Sequence, residues 1–237
     1  MGEIGLILAL TLMAGVAMPL GALLACVDSI YPDWLSSESR HGIMAFGGGA
    51  LMSAVALVLV PEGSDRLSIP LAALSFGAGG VAFMLLDILL AKTKSPAGQL
   101  AAMLSDFVPE AIALGAAFAT GSSSGILIAA LIAIQNLPEG FNSFREMTSS
   151  GRISAKLVLI AFSLMALLGP VSGMAGYFVL AKHPLFLGAL MLFASGGILY
   201  LVFQDIAPGA RVEERWSPAL GAVAGFMLGL IGDMLVK

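Results

Sequence analysis

The chain has 237 residues, of which 59% are hydrophobic and only 11% charged, against about 25% charged in an ordinary soluble protein. With a mean hydropathy of +0.99, this excludes a soluble domain and places the chain among integral membrane proteins. A net charge of −4 with scattered basic residues excludes a nucleic-acid surface or an extended polybasic patch, and a single cysteine, Cys26, excludes an intrachain disulfide.

The chain opens on Met1-Gly2-Glu3, without the Lys or Arg of a signal peptide, and the apolar stretch 4–26 is longer than a signal core. Although Leu23-Leu24-Ala25-Cys26 loosely resembles a lipoprotein cleavage box, the expectation is a retained first span. Crossing a hydrocarbon core of ~30 Å takes about 20 apolar residues. Such segments recur at 42–61, 69–91, 100–120, 126–144, 157–181, 185–207 and 219–236. None has the alternation of a barrel strand, so the expected fold is one all-α transmembrane domain over 1–237, an eight-helix bundle.

Arg40, Lys92, Lys94, Arg145, Arg152, Lys156, Arg211 and Arg215 fall on one side of these spans, and Arg66, Lys182 and Lys237 on the other. The positive-inside rule puts the first set in the cytoplasm and both termini outside it. A bacterial inner membrane is the expected location. Glycines cluster at 47–49, at 77, 79 and 80, at 169, 173 and 176, and at 221, 225 and 229. These read as surfaces where helix backbones approach closely.

Within the spans lie six carboxylates, Asp87, Asp106, Glu110, Glu139, Asp205 and Asp233, and no Lys or Arg. A charge at mid-bilayer costs about 2.5–3.5 kcal/mol even on an insertion scale. Protonation, a water-filled cavity or a bound cation must offset that cost. Asp87 precedes Lys92 by five residues and Asp233 precedes Lys237 by four, spacings that also suit an interfacial position.

The other acids sit in an internal echo. Asp106-Phe107-Val108-Pro109-Glu110 in span four and Gln135-Asn136-Leu137-Pro138-Glu139 in span five share the form polar-x-x-Pro-Glu. Residues four apart share a helix face, so Asp106 with Glu110 and Gln135 with Glu139 each present two oxygen-bearing side chains to one side. Pro109 and Pro138 withdraw the N–H groups that would serve the carbonyls of Ser105 and Ile134, which predicts kinked helices four and five. Such freed backbone is tolerated in lipid only when it faces the bundle interior or a cavity.

Span five continues the polar stripe through Asn142 to Glu146, either an exit path or, beside Arg145, an ordinary solvated helix end. Span seven repeats the proline device in Gln204-Asp205-Ile206-Ala207-Pro208, and span six has Gly169-Pro170 with no ligand. The two histidines, His41 and His183, read as loop residues near the membrane boundaries.

Eight short spans with both ends outside, and paired Pro-Glu motifs on spans four and five, resemble the ZIP (Zrt-, Irt-like) family of divalent metal transporters. Gln135-Asn136-Leu137-Pro138-Glu139-Gly140 fits that family's fifth-helix pattern, and Pro109-Glu110 with Ala113-Leu114-Gly115 fits its fourth. The resemblance implies a mid-membrane binuclear metal site on spans four and five, completed by spans six and seven. Here the family's His-Asn-x-Pro-Glu of span four is Asp106-Phe107-Val108-Pro109-Glu110, its Glu-Pro of span six is Gly169-Pro170, and its His-Glu of span seven is Gln204-Asp205. By that likeness Asp106, Glu110, Gln135 and Glu139 keep one metal position as oxygen donors. The second retains Asn136 but loses its ligands at 107 and 169, so one principal site is expected. Asp205 is a further candidate ligand, with Asn142, Gln204 and Asp87 along the pathway.

A donor set of carboxylates, amides and carbonyls is hard and suits Mg²⁺, Ca²⁺ or Mn²⁺, while Zn²⁺ also accepts carboxylate oxygen and Fe²⁺ and Cd²⁺ are not distinguished from it. The expected function is divalent cation transport into the cytoplasm, the metal being substrate rather than prosthetic group. The alternative is a non-transporting membrane sensor or structural protein with a degenerate site. A proton-coupled carrier of organic cations stands third, without an aromatic cage to support it. With no His-Glu-x-x-His helix and no Ser-His-Asp set, the chain does not read as an enzyme. The bilayer and the metal ion are the expected partners, and a homodimer is compatible with the sequence.

Overall fold

The computed structural model describes residues 2–30, 36–93, 96–119, 121, 124–149, 153–213 and 215–236. Lys94, Arg152 and Lys237, three of the residues weighed for orientation, lie outside them. Among the described residues, regular structure is entirely helical, in eight rods. These are α1 (Glu3–Ile30), α2 (Ser37–Ser64), α3 (Ile69–Thr93), α4 (Pro96–Ala119), α5 (Ser124–Ser149), α6 (Ala155–Lys182), α7 (Pro184–Gly209) and α8 (Ser217–Val236). Apart from Thr120, which is not described, the eight expected spans fall within these rods.

Six of the rods are long and apolar enough to cross a membrane, and the chain is an integral membrane protein. The other two, α4 and α5, are comparably long but carry the polar-x-x-Pro-Glu motifs. Burial is the reverse of a soluble fold. Ile69 and Leu235 stand more than four-fifths exposed on the outside of the bundle, while Asp106, Glu110, Gln135 and Asn136 are buried inside it.

Four pairs of rods pack most closely: α1 on α5, α2 on α8, α3 on α7 and α4 on α6. Each pair runs parallel, and each crosses on glycines set against the partner's backbone. Gly21 faces the Leu137 carbonyl and Gly140 the Met18 carbonyl; the same exchange joins Gly49 with Ala222 and Gly225 with Phe46, Gly79 with Phe193 and Gly196 with Phe76, and Gly115 with Gly173 and Gly176 with Ile112. In lipid no hydrophobic force drives helices together, so backbone proximity and dispersion must do so, and a Cβ at these points would prevent it.

The pairing maps onto itself when α1, α2, α3 and α4 are exchanged with α6, α7, α8 and α5. Prolines follow the same exchange, Pro19 with Pro170, Pro61 with Pro208, Pro70 with Pro218 and Pro109 with Pro138. Partners two, four or six places apart are parallel in an up-and-down bundle, and the exchanged rods, one or five places apart, are antiparallel, which is an inverted repeat. Its clearest mark lies in α2 and α7. Each contains one widened turn, in which Val60 N–H bonds to the Val55 carbonyl and Ala207 N–H to the Val202 carbonyl. Pro61 and Pro208 follow directly, and the wider turn relieves the clash of each ring with the carbonyl four residues back.

By contrast, α4 and α5 continue through Pro109 and Pro138 in one α-helical pattern. α6 tightens at Leu167, whose N–H reaches Leu164, just before Gly169-Pro170. His41 lies in the first turns of α2 rather than in a loop, with its ring Nδ1 2.6 Å from the Ser37 carbonyl. His183 joins α6 to α7 as expected. Arg40, Lys92, Arg145, Lys156, Arg211 and Arg215 fall at one end of the bundle, and Arg66 and Lys182 at the other.

Candidate cation site

The two polar-x-x-Pro-Glu motifs meet where α4 faces α5. Gln135 donates its amide hydrogens to both carboxylate oxygens of Glu110, at 2.7 and 2.6 Å. Both residues are buried, at 2% and 1% exposure. The amide orientation follows from charge, since the flipped group would set its carbonyl against an anion. A neutral amide orders the carboxylate without neutralising it, so the electrostatic cost of the buried acid remains.

One turn earlier on α4, Asp106 opens onto a cavity of about 210 Å³. Its walls come from α2 (Met44, Gly47, Gly48, Leu51), α4 (Met103, Asp106), α5 (Gln135 to Glu146) and α7 (Ile198 to Ile206). Among the described residues, four carboxylates line it, Asp106, Glu139, Glu146 and Asp205, and no Lys, Arg or His does. Asp106 is buried, Glu139 half-buried, and Glu146 and Asp205 exposed, so the acids descend from the closed end towards the end where the basic loops lie. Asn142 and Ser143 add polar atoms between them.

Among the described residues, Asp106 Oδ1 and Gln135 Oε1 are buried acceptors without a donor. Both residues line the cavity. Leaving such oxygens unmet costs on the order of 1–3 kcal/mol each, and what meets them must carry positive charge or polar hydrogens. The fit to a hard cation is therefore chemical, in charge sign and donor type. No three Asp, Glu, His or Cys side chains among the described residues are placed to hold an ion together. Paired carboxylates, amide oxygens and water are the donors the site offers.

The structure brings together Asp106, Gln135, Glu139, Asn142 and Asp205 on one cavity, with Glu110 directly behind Gln135. Asn136 turns elsewhere: its amide donates to the Ala14 carbonyl of α1 at 2.9 Å, tying α5 to α1. Its Oδ1 is a third buried acceptor without a donor. Phe107 is buried, and its ring tip lies where a Cβ on Gly15 or Gly169 would meet it at 3.0 or 2.8 Å. Positions 107 and 169 thus pack ring against glycine and supply no donor. Gln204 faces a separate outer groove with Phe76, Gly77 and Tyr200. Asp87 accepts a 2.9 Å bond from the Tyr200 hydroxyl, linking α3 to α7. Asp233 is buried on α8, away from this cavity.

One wall of the cavity carried no sign of a site in the sequence. Gly47 and Gly48 form the α2 wall, where the glycine triplet signalled only close packing. Pro61-Glu62 is a third Pro-Glu pair, at the end of α2 remote from the basic loops, with Glu62 3.8 Å from Arg66.

Compared with known proteins, the chain matches no family model and shows no significant similarity to a curated protein.

Proposed function

We propose that this protein is a divergent ZIP-like transporter that carries a divalent metal cation into the cytoplasm, in a bacterial inner membrane. The observation that carries the reading is the pair of unpartnered buried oxygens, Asp106 Oδ1 and Gln135 Oε1, facing a cavity that among the described residues is lined by four acids and no base. In this reading the ion is held by Asp106 and Glu139 with the Gln135 carbonyl, while Glu110 fixes the amide and adds negative potential from behind. Asn142, Glu146 and Asp205 then line the way out. That way opens at the end holding Arg145 and Arg211, which the positive-inside rule assigns to the cytoplasm. In this reading the cavity is that of an inward-open state, and α2, α7 and the α4–α5 pair close over it for release to alternate with uptake.

Hard oxygen donors favour Mg²⁺ or Mn²⁺ over thiophilic ions, with Zn²⁺, Fe²⁺ and Cd²⁺ as further substrates to test. Purified protein in liposomes, offered each ion in turn, is expected to take up at least one of them above empty liposomes. Asp106→Asn/Glu139→Gln is expected to abolish that uptake. Failure of every ion with folded protein would reject the reading.

A second reading is favoured by one observation, the absence among the described residues of three converging ligand side chains. It makes the chain a non-transporting membrane protein with a degenerate site. Divalent binding without flux would support it.

A further inference from the structure

A second cavity lies on the outside of the bundle, between α2, the end of α7 and α8, with a volume of about 820 Å³. Its floor is apolar, made by Met52, Val202, Ala222, Val223, Phe226 and Leu230. At one end the lining changes character: Arg211 and Arg215, from the short connection between α7 and α8, stand at the mouth. Trp216 follows directly and is 88% exposed. An exposed tryptophan at the start of a membrane helix marks the headgroup level, where its indole is at once apolar and wet. The arginines therefore sit at the depth of lipid phosphates, and the apolar floor extends from them into the hydrocarbon layer.

We propose that this groove is a binding site for an anionic phospholipid, with its phosphate on Arg211 and Arg215 and an acyl chain along α8. The assignment rests on the match of two chemistries along one groove, a cationic mouth at the interface and an apolar trough below it. A basic pocket between transmembrane helices is a recognised setting for anionic headgroups, and guanidinium groups suit phosphate through paired N–H donors. Glu38 lies 3.8 Å from Arg215 and competes for it, so a bound phosphate shares that arginine with the carboxylate. The pair is open to solvent, 63% exposed at the arginine and 41% at the acid, so the guanidinium is accessible to a headgroup.

The groove is separated from the cation cavity by very little. Gly48 and Ile206 line both, and a Cβ on Gly48 would stand 2.8 Å from Cγ2 of Ile206. Ile206 is the last residue of the widened turn in α7 and follows Asp205, an acid of the cation cavity. An acyl chain in the groove thus rests on the outer face of that partition. The lipid proposal stands on the groove alone and is independent of whether the inner cavity carries a cation.

The test is lipid retention by the full-length protein, purified from mixed micelles of phosphatidylglycerol and phosphatidylcholine and measured by native mass spectrometry. The wild type is expected to retain phosphatidylglycerol at least tenfold over phosphatidylcholine, at about one lipid per chain. Arg211→Gln/Arg215→Gln is expected to lose that preference while keeping its helical circular dichroism. Val223→Trp, at an exposed floor position, is expected to fill the trough and lower retention of both lipids without touching charge. Equal retention of the two lipids by the wild type, or undiminished preference in the double variant, would overturn the proposal. So would a protein dimer that excludes lipid and is broken by Val223→Trp, because the groove would then belong to a second copy.

Discussion

Glu110 is a buried carboxylate anchored by an amide, and that single exchange governs the behaviour of its neighbours. Gln135→Ala removes both donors and is expected to cost about 1–3 kcal/mol, read as a lower midpoint of thermal unfolding in detergent; unchanged stability would mean that Glu110 has another partner. Glu139→Ala is expected to reduce divalent uptake at least tenfold, whereas Asp205→Ala, at the exposed mouth, is expected to have a smaller effect. Equal losses would turn the site into a general acidic vestibule. Asp106→His replaces a hard oxygen with a borderline nitrogen and removes a negative charge beside Glu139. Selectivity measured at one pH should move towards Zn²⁺ or Cd²⁺ relative to Mn²⁺, and an unaltered order would show that Asp106 does not touch the ion. The pairing of acids with a helical turn was legible in the sequence because a period of four fixes the face. The turn of Asn136 towards α1 was not, since adjacent residues on a helix diverge by about 100° and the sequence does not say which direction faces the cavity.

Helices in this molecule are defined by where they allow one another to approach. Gly140 lies against the Met18 carbonyl and Gly77 has no atom within 4 Å of its would-be Cβ. In an isolated helix both would gain about 1 kcal/mol from replacement by alanine. Gly77→Ala is therefore expected to be neutral or stabilising and Gly140→Ala destabilising, as thermal unfolding of the two variants side by side will show; matching behaviour would mean that the α1–α5 crossing is looser than described. The glycine clusters announced such surfaces from sequence alone, but not which partner each would meet, because a small-residue stripe carries no identity. The proline matching of Pro61 with Pro208 was likewise present in the sequence. It became legible only when the widened turns before both rings placed α2 and α7 in equivalent positions. The helices α4 and α5 keep one α-helical pattern through Pro109 and Pro138, whereas α2 and α7 each widen by one turn before Pro61 and Pro208.

At the scale of the whole molecule, an inverted repeat encloses a cavity that is closed at one end by buried side chains and open at the other between α2, α5 and α7. The expected spans and their orientation followed from composition and basic residues, since the bilayer imposes length and charge asymmetry on any sequence. The α5 side of the cavity, Gln135 to Glu146, was legible as a polar stripe, but the walls from α2 and α7 were not, because a cavity is made by helices distant in the chain. Cysteines at Asn142 and Lys182 in a Cys26→Ala background are expected to react with impermeant reagents from opposite sides, the first from the cytoplasm; reaction of both from one side would overturn the orientation. The proposed function requires that the acids of this cavity bind a divalent cation. Equilibrium titration of the purified protein with Mn²⁺ and Zn²⁺, beside Asp106→Asn/Glu139→Gln, tests it most directly. Saturable binding near one ion per chain is expected in the wild type, with at least a tenfold weaker affinity and retained folding in the double variant. Binding that is absent from the wild type, or equally tight in both proteins, would contradict it.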